Sequence, residues 1–489
     1  MRNSKSIALS AALAATLLLA AQNALAQTTY YVDDDGTCPG SGTAGDPYCT
    51  IQAGINAASN GDTVQVADGT YYGVGNRDLD FGGKLITLRS ENGPYLCTIY
   101  CQQAGRGFWF HNGEGSSAVV DGFTISTGLV QDGGGMYISS CAPRVINCRF
   151  YSNYVAGDGG AIYISNGAPS IIDCTFQSNR AVWSTVGDDG GAIYNYYGSP
   201  WVFNCTFYGN HAKDAGGAMY NYGGSPTVMN CTFSGNTAVS GGGIYNHASN
   251  PKVTSCTFNA NTATSWGGGI GNYNSSNTTL TNCVFSANTA TSFGGGIDNL
   301  AEVTLTNCTF SGNSASNSGG MYNDSASSTV TNCIFWDNSD SGGADESAQI
   351  SGTAPVVSYS CIQGCLSFCS DPNDHNIGND PLFVAFATAP GTLDLSSGSP
   401  CIDAGRNLAF LDVAVTLGGL GGDLDRKGRF VDAPNTADTG SGRGAIIDMG
   451  AYEFQVGHDD FDGDGDVDGQ DFMTFSTCFN GSARPPKCR

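Results

Sequence analysis

The chain has 489 residues, 70 of them Gly, with only 13% charged residues and a formal net charge of −24. Scarce Lys and Glu argue against a helix-rich fold, and the acidic balance excludes nucleic acid and anionic membranes as partners. It also repels a polyanionic polysaccharide unless calcium bridges the two.

The chain opens on Arg2 and Lys5, an apolar run over residues 7–21, and Ala24-Leu25-Ala26, a small-x-small cleavage site. This pattern predicts a signal peptide over residues 1–26 and a secreted or cell-surface protein. The apolar run is short for a membrane span, and no second long one follows, so no transmembrane segment is expected in the mature chain. Residues 27–61 read as an N-terminal cap, with a short amphipathic helix over 49–58 that can cover an open core end. Cys38 and Cys49 flank a Gly-rich turn and suit a disulfide.

Residues 62–361 carry a repeat. Gly190-Gly191-Ala192-Ile193-Tyr194-Asn195, followed by Val202-Phe203-Asn204-Cys205-Thr206-Phe207, returns as Gly216-Gly217-Ala218-Met219-Tyr220-Asn221, followed by Val228-Met229-Asn230-Cys231-Thr232-Phe233. A Cys column runs through Cys148, Cys174, Cys205, Cys231, Cys256, Cys283, Cys308 and Cys333, mostly at intervals of 25–27 residues. Phe stands two residues after each Cys and Asn five after, from Phe150 and Asn153 to Phe335 and Asn338. Fixed self-similarity of this kind marks a stacked repeat architecture. Cys and Phe at i and i+2 share one strand face, but the apolar residue three before each Cys (Val145, Val202, Val228) has the wrong parity for it. A bend at the intervening residue repairs the parity. That residue is Asn or Asp in seven repeats and Ser255 in one, and Asn tolerates left-handed backbone. Two or three short strands per repeat, turning three corners, predict an all-β, right-handed parallel β-helix. Like residues then stack ~4.8 Å apart, beyond good disulfide geometry, so the column cysteines read as buried thiols. Cys97/Cys101 and Cys365/Cys369 remain candidates for disulfides of open pairing, and Cys478 and Cys488 bracket the tail. Residues 362–455 read as a C-terminal cap and 456–489 as a separate tail.

The motifs Gly159-Gly160-Ala161-Ile162 and Phe176-Gln177-Ser178-Asn179, repeated over about residues 130–340, resemble the repeat of chlamydial polymorphic outer membrane proteins. The resemblance implies a surface-exposed β-helix with an adhesive role, although no barrel-length domain follows here. Tyr30-Tyr31-Val32-Asp33, Thr50-Ile51-Gln52-Ala53-Gly54-Ile55 and Gly61-Asp62-Thr63-Val64 resemble the N-terminal cap of pectate-lyase-like β-helix proteins. Asn379-Asp380-Pro381-Leu382-Phe383, Ser399-Pro400-Cys401-Ile402-Asp403 and Asp448-Met449-Gly450-Ala451-Tyr452-Glu453 look like the closing segment of exported bacterial β-helix proteins.

Three features bear on chemistry. Asp460, Asp462, Asp464, Asp466, Asp468 and Asp471, with Gly465 at the turn, match a 12-residue calcium loop and predict Ca2+ there. With Asp at its last position the loop resembles one half of a type I dockerin, which implies contact with a surface-anchoring protein; a dockerin has two such loops and this chain has one. Asp132, Asp158, Asp189 with Asp188, and Asp214 occupy nearly one coil position, and Ser240, Trp266 and Phe293 then replace them. Carboxylates ~5 or ~10 Å apart bracket the separations of glycoside hydrolases and would also suit calcium, so Asp158, Asp188, Asp189 and Asp214 are the catalytic candidates, against a solvated loop edge. Tyr137, Tyr163, Tyr194, Tyr220, Tyr245 and Tyr322 follow the Gly pairs as either a structural ladder, the favoured reading, or a sugar-stacking stripe. Trp183, Trp266 and Phe293 are expected in variable loops.

Repeat regularity without a break for a catalytic constellation favours non-catalytic adhesion or binding of a cell-surface glycan or polysaccharide. The alternative is a polysaccharide lyase or glycoside hydrolase, and enzymatic activity is left open.

Overall fold

A computed structural model describes residues 27–183, 187–325, 327–384, 393–406 and 447–452. The signal segment, the calcium loop at 460–471 and the Cys478/Cys488 pair lie outside the described residues.

The described chain winds into about eleven turns of parallel β-coil. One turn shows the plan. Arg144–Ile146 lies in a first sheet, Arg149–Tyr151 in a second, Tyr154–Val155 in a third and Ile162–Ser165 in a fourth. Stacking the turns gives sheets of 13, 12, 7 and 10 strands, all paired in parallel with their neighbours one turn away. At ~4.8 Å per turn the rod is on the order of 50 Å long. Four strands per turn exceed the two or three expected. The extra one has only two residues in most turns (Arg180–Ala181, His211–Ala212), too few to show an alternating pattern.

Each turn is bent at left-handed residues. The residue before the column Cys has φ between 49° and 54° in all eight repeats, from Asn147 through Ser255 to Asn332, so the parity argument holds. This corner lets Val202 and Cys205 both face inward, each at most 1% exposed. A second left-handed corner (Ser178, Gly209, Ala260) precedes the column Asn and turns it inward as well. A third falls at the first Gly of the pair. At Gly216, φ is +66° and a Cβ would lie 2.5 Å from the Met219 carbonyl, so only glycine fits.

The interior is built of columns. Phe150, Phe176, Phe207, Phe233, Phe258, Phe285, Phe310 and Phe335 stack with ring centroids 4.4–4.9 Å apart and planes within 4°. The column cysteines are buried free thiols, as expected. The Asn column is buried and bonded throughout. Asn179 Oδ1 accepts from the Asn153 N–H at 3.1 Å and from Asn153 Nδ2 at 3.0 Å, and Asn179 Nδ2 donates to the Phe150 carbonyl and to Asn210 Oδ1. The pattern repeats to Asn338, where Gln349 Oε1 takes the place of the next Asn. Each amide therefore meets its full complement of partners, which is what makes a polar core column tolerable.

At the N-terminal end, Thr29–Val32 forms the first strand of the first sheet, and the helix Ile51–Ala57 lies across it. A Cβ on Gly54 would lie 2.7 Å from Val64 Cγ1 and 2.8 Å from Val32 Cγ2, so glycine permits that close approach. Cys38–Cys49 and Cys365–Cys369 are disulfides, whereas Cys97 and Cys101 are separate buried thiols. Cys97 and Cys101 stand at opposite ends of the strand Cys97–Tyr100 and its following residue, which holds them too extended to bridge. At the other end, residues 447–452 return along the second sheet. The Gly450 N–H bonds the Asn332 carbonyl at 2.7 Å, and the Ala451 N–H bonds Thr309 Oγ1 at 2.9 Å. Val284 and Ile334, which point out of that sheet, are thereby buried.

Candidate functional site

The outer face of the fourth sheet carries the tyrosines. In Ile162–Ser165 and Ile193–Tyr196 the first residue points inward, so the second points out. Register aligns Trp109, Tyr137, Tyr163, Tyr194, Tyr220, Tyr245, Gly271, Asp298 and Tyr322 as one outward column. From Tyr137 to Tyr220 the rings stack 5.0–5.2 Å apart with planes within 12°. Tyr194 and Tyr220 are only 7% exposed. Their faces are covered by neighbouring rings, so they are a ladder and not a row of open platforms. Burial pushes the phenols of Tyr163, Tyr194 and Tyr220 upward, and nearby carboxylates, Asp158 and Asp189 among them, add to it. Arg106 lies over Tyr137, 4.9 Å from its centroid, at the near end.

A second outward column runs two residues on. Tyr196 and Tyr222 stack at 5.4 Å, Tyr222 and His247 at 4.9 Å, and Tyr273 follows at 5.7 Å. Tyr196, Tyr273 and the corner residue Tyr197 are exposed. Trp183 is exposed and stacks on Tyr154 at 6.1 Å. Trp266 ends the strand Thr262–Trp266 instead of lying in a loop, because it bridges to Phe293 one turn on.

The acidic residues line the edge before this sheet. The Asp158 N–H donates to Asp132 Oδ1, the Asp189 N–H to Asp158 Oδ1 and the Ala215 N–H to Asp189 Oδ1, at 2.8–3.0 Å. The column is therefore Asp132, Asp158, Asp189, Ala215 and Ser240. Asp214 is corrected out of it: its N–H bonds the Asp188 carbonyl, one position earlier, because Ala215 occupies the place before the Gly pair. Asp188 is fully buried, with Lys213 Nζ 3.9 Å from its Oδ2, and Asp214 Oδ2 accepts the Gly187 N–H. Asp158 and Asp189 are both pushed up to about 7, chiefly by burial; the charge of Asp132 adds to it at Asp158 and that of Asp158 at Asp189, while the backbone N–H each accepts pulls the other way. Each thus combines a backbone-capping role with a proton held near neutrality. Among the described residues no three His, Cys, Asp or Glu side chains converge as a metal-binding group.

Sequence reasoning missed Asp298. It stands in the tyrosine column, two turns beyond Tyr245, is 5% exposed and is pushed up to about 7, first by burial and then by Asp324. A lone Asp within a Tyr column has no spacing signal of its own; only register puts it there. The basic residues gather elsewhere. A polar groove of about 390 Å³ on the first sheet is lined by Gln65, Arg89, Glu91, Asp121 and Asn147 among others. Arg89 and Arg144 act on Asp121 in the first sheet, a different face of the coil from the edge that holds Asp158 and Asp189.

A family model for a right-handed beta helix region matches residues 184–301 and 265–379, and a Chlamydia polymorphic membrane protein repeat matches residues 147–165. The fold is a right-handed parallel β-helix. No curated protein matches the chain. Among solved structures, the β-helix is similar to pectate lyase Pel9A at 14% identity and TM-score 0.47, over 87% of this chain and 96% of that one. It is similar to a rhamnogalacturonan lyase at 13% identity and TM-score 0.42, over 73% and 91%. It is also similar to a lacto-N-biosidase from Eubacterium ramulus at 12% identity and TM-score 0.34, over 68% and 66%. No helix among the described residues is long and apolar enough to cross a membrane.

Proposed function

We propose that this β-helix is a secreted or cell-surface protein that binds glycans, without cleaving them, on the outer face of its fourth sheet. One observation carries the reading: two parallel aromatic columns, edged with hydroxyls and with exposed Tyr196, Tyr197 and Tyr273, run side by side on one rigid face. Rigid aromatic bodies with polar tips suit recognition surfaces, because they bury area at little entropic cost. The net charge of −24 favours neutral glycans over polyanions. A glycan array probed with the full chain, and with Tyr196→Ala/Tyr222→Ala, tests this. Retention of neutral glycans by the wild type and loss in the variant is the expected result. A wild type that retains no glycan refutes it.

Asp158 and Asp189 favour a second reading, a glycoside hydrolase or polysaccharide lyase. They sit one turn apart, and each is pushed up to about 7, so one can hold a proton while the other is ionised. A depolymerisation screen on pectin, alginate and neutral polysaccharides, with and without calcium, separates the two. Cleavage abolished by Asp189→Asn overturns the binding-only reading. Inactivity of a chain that still binds on the array removes the second.

A further inference from the structure

The tyrosine column breaks once. After Tyr245 the next outward position is Gly271, which offers no ring, and the one after is Asp298. Tyr245 responds to the gap. Its plane tilts 29° from Tyr220, whereas the members before it lie within 12° of one another. A Cβ on Gly271 would come 2.9 Å from Tyr245 Cδ2 and 3.3 Å from Cε2, so the ring leans into the space a side chain would fill. Among the described residues no other ring stacks on that side of Tyr245.

Asp298 faces Tyr245 across this step, near enough that its charge acts on the Tyr245 phenol. Its carboxyl is 5% exposed, and no hydrogen bond or ion pair engages it among the described residues. Its oxygens are not sealed from water, so a ligand hydroxyl arriving at the step can take the place of that water. The far wall is aromatic: Phe293 and Tyr322 meet at 4.7 Å, and exposed Trp266 adjoins Phe293. The step thus joins an uncovered ring, a carboxyl open to solvent and an aromatic wall. A pyranose has an apolar C–H face and a rim of hydroxyls that match these in turn. Asp324 also acts on Asp298, so an anionic sugar would be repelled.

We infer that the break at Gly271 is a subsite for one neutral pyranose unit, its face on Tyr245 and its hydroxyls on Asp298. The inference rests on the glycan-binding reading and gives that face its point of specificity.

The test uses the full chain and the methyl glycosides of glucose, galactose and N-acetylglucosamine, with galacturonic acid as the anionic control. Binding is followed by saturation-transfer NMR and calorimetry. Gly271→Tyr fills the step by continuing the ladder, and Asp298→Asn keeps the shape while removing the acid; circular dichroism checks that both fold. At least one neutral glycoside is expected to bind the wild type, with affinity reduced roughly tenfold or more in either variant. Galacturonic acid is expected not to bind. Neutral-sugar binding that survives both substitutions overturns the subsite. So does an array on which oligosaccharides are retained equally by wild type and Gly271→Tyr, and the broader reading then stands. Failure of the wild type to retain any glycan removes both.

Discussion

Replacing Asn236 by Ala asks how much the buried amide column holds the coil together. Asn236 Oδ1 accepts from the Asn210 N–H and from Asn210 Nδ2, both at 3.0 Å. Its Nδ2 donates to the Phe207 carbonyl at 3.0 Å and to Asn261 Oδ1 at 2.9 Å. Ala removes all four bonds. Asn261 Oδ1 keeps the Asn236 N–H at 3.1 Å, but the Asn210 N–H and one Asn210 amide hydrogen lose their acceptor in a site closed to water. At about 1–3 kcal/mol for each stranded donor, the expected loss is roughly 2–6 kcal/mol. Turns contact only their neighbours, so the damage is local and a two-state fit is unsafe. Urea denaturation followed by tryptophan fluorescence should therefore be paired with hydrogen exchange, with protection falling first around residues 205–240. A loss below about 0.5 kcal/mol, typical of an exposed position, would refute the argument that this column is structural.

Other outcomes follow from the buried acids, the thiols and the tail. Asp158, Asp189 and Asp298 hold protons to about 7 when folded, against a usual value of 3.8. The folded state binds more protons between those values, so stability should fall as pH rises from 4.5 to 7.5 and level off above; urea midpoints measure it, and Asp298→Asn should flatten the slope. Burial pushes the column thiols from Cys148 to Cys256 well up, so a thiol reagent at pH 8 should label them only after denaturation. Rapid labelling of the native chain at Cys205 would contradict the packed core. Calorimetric titration of the full chain with calcium should show one site that Asp460→Ala/Asp464→Ala removes, and silence at millimolar calcium rejects the loop at 460–471.

The β-coil was readable because stacking repeats its demands. The position that passes amide bonds along a column is Asn in every turn from Asn153 to Asn338, and the left-handed corner before each column Cys is Asn or Asp in every turn but that of Ser255. The short strand of the third sheet was not readable, since two residues such as His211–Ala212 carry no period. Asp214 continues the run of acids but stands two residues before its Gly pair, where Asp158 and Asp189 stand directly before theirs; counting from that pair already separates it, and backbone pairing puts Ala215 in the column. Asp298 was invisible in the sequence. It occurs once, and its meaning lies in what surrounds it: the missing side chain of Gly271 on one side and the Phe293–Tyr322 wall on the other.

The uniform hand-over of bonds along the Asn column has a consequence for how such a chain can change. The upper surface of one turn is chemically the upper surface of the next, from Asn179 through Asn313. Excising one whole turn, about 25 residues, rejoins two surfaces that already match, whereas excising five would misalign every column beyond the cut. Rod length is therefore a setting that duplication or loss of complete turns can adjust in steps of ~4.8 Å. The cap at each end need not change when it does.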